Sequence, residues 1–376
     1  MSGCGCGCGH RVKSNLILSA QLPLLPLGRL VTCERLLRRA HLVLAWLLHI
    51  YVHTQPPGSD PITIPRSLSA PLLAVSRELV LPPVVTYADT VLYNWHEVDG
   101  HIRCVTLFSG TSDEEHFFLT SARIELAGVA ALSLMQQSLD EAFLDDTIAR
   151  RRIASSLRKL STVICTLTAI LDAVRDGCDP HVFYEQVRPW FRGEDSGKRP
   201  WIFQDERGNP VDFGDTRELS GPSAAQSTLI HALDIFLGVD HSATPAPSRP
   251  TADGPPSTNH HPHPRPFLDR MQAYMPRHHR NFINHLKVVP RPIRKLAMQS
   301  APDSPVWLAY NEATMALQEF RSAHIRIATL YIITQSHRRP QPTVTLEPAK
   351  GTGGTDLVPF LKSSRDDTTS TLLRLD

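Results

Sequence analysis

The chain has 376 residues, enough for two domains or one large one with a substantial buried core. A formal net charge of +2, with charged residues at 20%, excludes the basic field that dominates nucleic-acid binding. Seven cysteines, three in a Gly-Cys repeat at Cys4, Cys6 and Cys8 and the rest scattered at Cys33, Cys104, Cys165 and Cys178, form no disulfide framework and no CxxC pair, which points to a reducing, cytoplasmic setting.

In chain order, residues 1–14 are low in complexity and are expected to form a disordered Gly/Cys tail whose three thiols lack a defined fourth metal ligand. His10, Arg11 and Lys13 precede an apolar run at 16–27 that superficially resembles a signal peptide, but two prolines and the lack of a small-residue cleavage site argue against one. Residues 34–51 carry helical periodicity. Their apolar run at 42–48 is far shorter than the ~20 residues of a membrane span and reads as a buried helix. Pro56, Pro57, Pro61 and Pro65 then interrupt the pattern, and short helices are expected at 70–79 and 86–95. The segment 102–108, between Asp99-Gly100 and Gly110, reads as an isolated strand or extended connector and as a domain junction.

Beyond it the helical pattern strengthens over 115–139 and 141–175, the long helices of a bundle, with Arg150, Arg151, Arg152 and Lys159 on a solvated face. Residues 192–222 are rich in turns. A helix is expected from an N-cap at Ser223 to Leu237, stopped by Gly238. Prolines and histidines over 241–266 make a mobile loop, and helices are expected again at 267–274, 278–285 and 305–335. A second mobile loop covers 336–355, and a last short helix begins at 356–361. With alternating strand patterns nearly absent, the fold class is all-α.

Within 305–335, Phe320, His324, Ile327 and Tyr331 share one helical stripe, so an imidazole points where the core belongs. Two readings are open: a core histidine bonded to a carbonyl or carboxylate, or an axial iron ligand of haem. The run Gly351-Thr-Gly-Gly-Thr355 followed by Asp356 is either a flexible hinge or a lid whose amides and Thr352 hydroxyl approach a small polar ligand. The chain contains no GxGxxG after a strand, no GxxxxGK[ST], no HExxH and no GxSxG.

Six segments, in order, resemble the indoleamine 2,3-dioxygenase family: Thr86-Tyr-Ala-Asp-Thr-Val-Leu-Tyr-Asn-Trp95; Phe117-Phe-Leu-Thr-Ser121; Gly221-Pro-Ser-Ala-Ala-Gln-Ser227 with Asp234-Ile-Phe-Leu-Gly238; Tyr274-Met-Pro-Arg-His-His-Arg-Asn-Phe282; Phe320-Arg-Ser-Ala-His324; and Lys350-Gly-Thr-Gly-Gly-Thr-Asp356. The likeness runs from about residue 25 to 373 and is of fungal type, with an N-terminus that looks truncated or atypical. It implies a small N-terminal helical domain (15–112) and a large C-terminal helical domain (113–376) enclosing haem b. The implied enzyme opens the indole ring of L-tryptophan with dioxygen to give N-formylkynurenine, the first step of the kynurenine route, as a cytoplasmic monomer supplied by an electron donor. Neither nucleic acid nor membrane is an expected partner.

On the same resemblance His324 is the proximal iron ligand, and Arg321, Asp234 and Ser223 belong to the haem surroundings. Tyr87, Phe117, Phe183, Tyr184, Arg188, Ser223, Ala224 and Gly353 belong to the substrate pocket. Ser121, Arg188 and Thr352 are the implied catalytic groups: Arg188 clamps the substrate carboxylate with paired donors, Ser121 orders a hydrogen bond or water, and Thr352 sits on the closing loop. Pro222 stands where the family commonly has glycine and Tyr184 where phenylalanine is frequent, which leaves room for another indole substrate. A non-catalytic oxygen-binding protein is the remaining alternative.

Overall fold

A computed structural model describes residues 23–28, 30–144, 146–197, 199–213, 219–241, 266–289, 292–338, 351 and 356–374. The expected tail at 1–14, nearly all of the expected loop 241–266, most of 336–355, and Thr352 and Gly353 lie outside these residues.

Helices dominate, as the periodicity predicts. They are α1 (Glu34–His53), α2 (Arg66–Leu79), α3 (Ser112–Ala142), α4 (Thr147–Asp172), α5 (Thr228–Leu237), α6 (Phe267–Met271), α7 (Arg277–Val288), α8 (Pro292–Gln299), α9 (Pro305–Ala328) and α10 (Leu357–Ser370). Two small sheets accompany them: β1 (Ile62–Thr63) runs parallel to β4 (Trp201–Ile202), and β2 (Trp95–Val98) runs antiparallel to β3 (His101–Cys104).

The long helices start where their caps dictate. The Thr111 hydroxyl accepts from Glu114 N at 3.2 Å, while the Glu114 carboxylate reaches back to Phe108 N, Ser109 N and Gly110 N at 2.7, 2.6 and 3.2 Å. The hydroxyl satisfies a donor that the helix start leaves open, and the carboxylate ties down the turn that leads into it. Asp146 caps α4 by accepting from Ala149 N at 2.7 Å, and the stripe Ile153, Leu157, Leu160, Ile164 and Leu167 is fully buried. Against it lies α9, whose Ala309 and Ala313 are also fully buried; their small side chains let the helices approach closely. Among the described residues α3 is long and apolar enough by composition to cross a membrane, yet Ile124, Ala131 and Met135 pack into this cluster. A second apolar cluster runs from Trp46 on α1 and Leu72 on α2 into Phe118, Phe183, Ile327 and Tyr331.

Several expectations need correction. The helix expected over 86–95 ends at Leu92. Trp95 instead opens a hairpin that turns at Asp99 and Gly100, both with positive φ, and is closed by Asn94 bonding to Thr106 N and O at 3.0 Å. The helix expected from Ser223 is broken. Ser223 caps only a 3-10 turn, and α5 begins at Thr228, because Ser227 and Gln226 turn away to bond Glu125 and Tyr87 N. α2 starts four residues earlier than position 70, the final helix runs to Ser370, and α8, with Pro292 at its first position, had no place in the expected pattern.

Two glycines allow one backbone crossing beside the future site. A Cβ on Gly221 would stand 1.7 Å from the Phe191 carbonyl oxygen, and one on Gly193 would stand 2.1 Å from that of Leu219. Both clashes are with backbone, so neither neighbour can swing aside. Gly221→Ala is therefore expected to destabilise the fold by about 3 kcal/mol, the upper part of the overpacking range; an unchanged urea midpoint would contradict the close approach.

Candidate functional site

Between these helices lies a cavity of about 180 Å³ that opens to solvent at its mouth. α3 contributes Phe117, Phe118 and Ser121, and α9 contributes His324, Ile327 and Ala328. α10 supplies Leu357, Phe360 and Leu361, while the chain between Gly221 and α5 supplies Pro222, Ser223, Ala224 and Ala225. The lining is overwhelmingly apolar and strongly aromatic. Phe117 lies 4.6 Å from Phe183 between ring centroids, Phe183 meets Tyr331 edge-on at 5.6 Å, and Phe267 meets Phe360 at 4.8 Å.

The described residues contain three π-helical segments, and each of them lines this cavity: Ala88–Leu92 through Thr90 and Val91, Phe183–Val187 through Phe183, and Thr329–Ile333 through Tyr331 and Ile332. A π turn carries an extra residue per turn and re-aims the side chains that follow, which is why such turns gather at functional sites. At the last of them Tyr331 is locked by donating to the Cys178 carbonyl at 2.6 Å.

His324 is the feature on which the site turns. Its ring lines the cavity and makes no hydrogen bond among the described residues, which removes the carbonyl- or carboxylate-bonded core histidine as its explanation there. Burial, together with the positive charge of Arg321, pulls its pKa down to about 4, so the imidazole is neutral at pH 7 with a lone pair to give. Among the described residues no group of three metal-binding side chains occurs. A metal at His324 must therefore bring its other ligands with it.

Of the residues expected in the site, Tyr87, Phe117, Ser121, Phe183, Arg188, Ser223, Ala224 and His324 all line the cavity. Tyr184 does not, but its ring sits 5.5 Å from the Arg188 guanidinium carbon. Burial pulls the Arg188 pKa below its ordinary value. Arg321 and Asp234 stand apart from the lining and pair with each other; Arg321 also donates to Ser364 Oγ, and its buried Nε has no partner among the described residues. Asp234 is buried, which opposes its charge, but Arg321 and His241 pull its pKa down to about 2. Gly351 lines the cavity; Thr352 and Gly353 lie outside the described residues.

The sequence reading missed Glu125. One turn beyond Ser121, it accepts from Tyr87 Oη at 3.0 Å and Ser227 Oγ at 2.6 Å, so a buried carboxyl holds two segments of the cavity wall. Its only sequence signal is the four-residue offset from Ser121, which repeats one helix face.

An apolar chamber between helices, entered by one neutral histidine that no described group engages, is the arrangement with which helical haem proteins hold their cofactor. The chain belongs to the indoleamine 2,3-dioxygenase family, whose sequence pattern matches residues 12–371. It is 33% identical to indoleamine 2,3-dioxygenase of Saccharomyces cerevisiae, over 90% of this chain and 78% of the relative. It is 32% identical to indoleamine 2,3-dioxygenase 2 of Homo sapiens, over 89% and 79%. A protein named myoglobin from Haliotis madaka is 30% identical over 93% of this chain and 84% of its own length.

Burial raises the pKa of Glu125 above its ordinary 4.5, against the opposing effect of the Ser227 and Tyr87 hydrogen bonds. The native state thus holds this proton more tightly than the unfolded chain. The corresponding stability is complete below pH 4.5 and is lost as pH rises through the folded pKa. Glu125→Gln keeps an oxygen acceptor for both hydroxyls and cannot ionise. Its unfolding free energy relative to the parent is expected to climb between pH 4 and 8, by about 1.4 kcal/mol for each unit of raised pKa. A flat difference would show that Glu125 ionises freely.

Proposed function

We propose that the chain binds haem b through His324 and opens the indole ring of L-tryptophan with dioxygen, giving N-formylkynurenine. The observation that carries this reading is the neutral, hydrogen-bond-free imidazole in an aromatic chamber that offers no other metal ligands. Membership of the indoleamine 2,3-dioxygenase family supports it. The residues fit the group. A porphyrin supplies its own four equatorial nitrogens, and the apolar walls suit its macrocycle.

When bound, ferrous haem supplies the activation of dioxygen that the side chains cannot. The protein's own work is positioning. Arg188 offers paired N–H donors to the amino-acid carboxylate, and Phe117 and Phe183 pack against the indole. Ser121, whose hydroxyl has no hydrogen-bond partner among the described residues, remains available to orient a substrate N–H or a water. The aromatic walls and α10 shield the substrate from bulk solvent on the sides they cover. The pair Arg321 and Asp234, with Ser223 at the cavity edge, tunes the surroundings of His324. On this reading 15–112 and 113–376 are the small and large domains of a cytoplasmic monomer that takes electrons from an external donor.

A second reading, oxygen binding without catalysis, draws on the relative named myoglobin. Arg188 favours the enzyme, since an oxygen carrier has no carboxylate to clamp. Pro222 in the lining and Tyr184 beside Arg188 bear on which indole is accepted.

The deciding experiment reconstitutes the purified chain with haem, reduces it, and adds L-tryptophan and air. N-formylkynurenine absorbance is expected; a normal Soret band without product would reject the enzyme reading. His324→Ala is expected to abolish the stable Soret complex, and normal haem binding by that variant would remove the axial assignment. Arg188→Ala should retain haem and raise KM by about 10- to 100-fold, the loss of a charged hydrogen bond worth ~1.5–3 kcal/mol; unchanged kinetics would dismiss the clamp.

A further inference from the structure

Helix α10 is docked in an unusual way. Its fully buried residues are polar, Ser364 and Thr368, while Leu357, Phe360 and Leu361, which face the cavity, are only partly covered. These positions repeat at helical spacing, so one face is cavity wall at its start and a polar seat further along. Two cations hold that seat. Arg321 on α9 bonds Ser364 Oγ and Asp234, and His241, just beyond α5, bonds Asp367 through Nδ1 at 2.8 Å and Asp234 through Nε2 at 3.2 Å.

A carboxylate only accepts hydrogen bonds, so an imidazole set between two of them must donate from both nitrogens and is therefore an imidazolium. Asp234, Asp367, His241 and Arg321 then form a quartet of balanced charge joining α5, α9 and α10. We propose that His241 is a positioning residue which, as an imidazolium, fastens α10 over the cavity and makes enclosure of the chamber depend on the protonation of one side chain.

Among the described residues, charged and titratable groups near His241 come from several elements. Asp234 and His231 come from α5, Asp240 precedes it in the chain, and Arg294 of α8 lies against Gly238. Arg321 comes from α9 and Asp367 from α10. Burial and Arg321 oppose the charge on His241, but the hydrogen bonds and charge of the two carboxylates outweigh them, and its pKa is raised above 6.5. The fastening is therefore complete below pH 6.5 and is lost as pH rises through the folded pKa. Once neutral, the ring presents a bare nitrogen to a carboxylate, and Arg321 alone faces two negative charges. The inference does not depend on which ligand fills the chamber.

The test is amide hydrogen exchange of the segment 357–370 in the full chain as purified, from pH 6 to 9, corrected for the intrinsic pH dependence of exchange. Protection of α10 is expected to fall as pH rises, by about tenfold for each unit by which the folded pKa exceeds the unfolded one. His241→Gln and Asp367→Asn should show low protection with the pH dependence gone. A pH-independent protection of α10 in the parent protein, or an unchanged pH profile in His241→Gln, would overturn the proposal. NMR titration of the parent's histidine side chains provides a check that needs no variant. A His241 midpoint above 6.5 is expected, and a midpoint at or below that value would overturn the assignment.

Discussion

The cavity wall formed by Tyr87, Thr90 and Val91 depends on a single buried ion pair. His41 on α1 donates to Asp89 at 2.9 Å and to the Pro82 carbonyl at 3.1 Å, and Asp89 also accepts from Thr86 N and Oγ1 at 2.9 and 2.7 Å. Burial opposes the charge on His41, but Asp89 restores it and leaves its pKa raised. Removing one partner from such a pair leaves an uncompensated charge, at a cost of about 3–5 kcal/mol. Two turns along the same helix, His49 has the opposite character. Its Nδ1 donates to Trp190 O at 2.8 Å, its Nε2 accepts from Val85 N at 3.3 Å, and burial drives its pKa to about 3. One helix thus grips two segments of the site with a charged histidine and a neutral one, each state set by what its two nitrogens meet.

A chamber lined with phenylalanines would bury more apolar surface by collapsing, so something must hold its walls apart. The polar bonds that do so lie behind the lining rather than in it. Glu125 holds Tyr87 and Ser227, Gln226 holds Tyr87 N and the Gly221 carbonyl at 2.8 Å, and Tyr331 holds Cys178. The interior is left with little chemistry of its own beyond His324, Ser121 and Arg188. That sparseness suits a site whose reactive part is brought in from outside.

Much of this was legible in the chain. The stripe through His324, Ile327 and Tyr331 follows directly from 3.6 residues per turn, and all three line the cavity; Phe320, on the same stripe, packs instead against the α4–α9 cluster. The α3–α4 pair was readable from its apolar spacing, and Thr111, three residues before Glu114, marks the start of α3 in the sequence. Other parts left no such trace. A π turn displaces side chains by one residue without changing composition. Glu125 looks like any exposed glutamate on an amphipathic helix until Tyr87 and Ser227, distant in sequence, are brought to it. His241 opens a run of prolines and histidines, so nothing local separates it from solvated loop. What escaped was long-range pairing of polar groups, which periodicity does not encode.

The π turn at Thr329–Ile333 continues α9 into the helical turn at Thr334–Arg338, so it amounts to one residue inserted into an otherwise continuous helix. Deleting one residue there would restore a regular helix and turn the residues of that wide turn by about 100°, while the helix beyond keeps its register. Tyr331 and Ile332 would swing out of the lining in a single step.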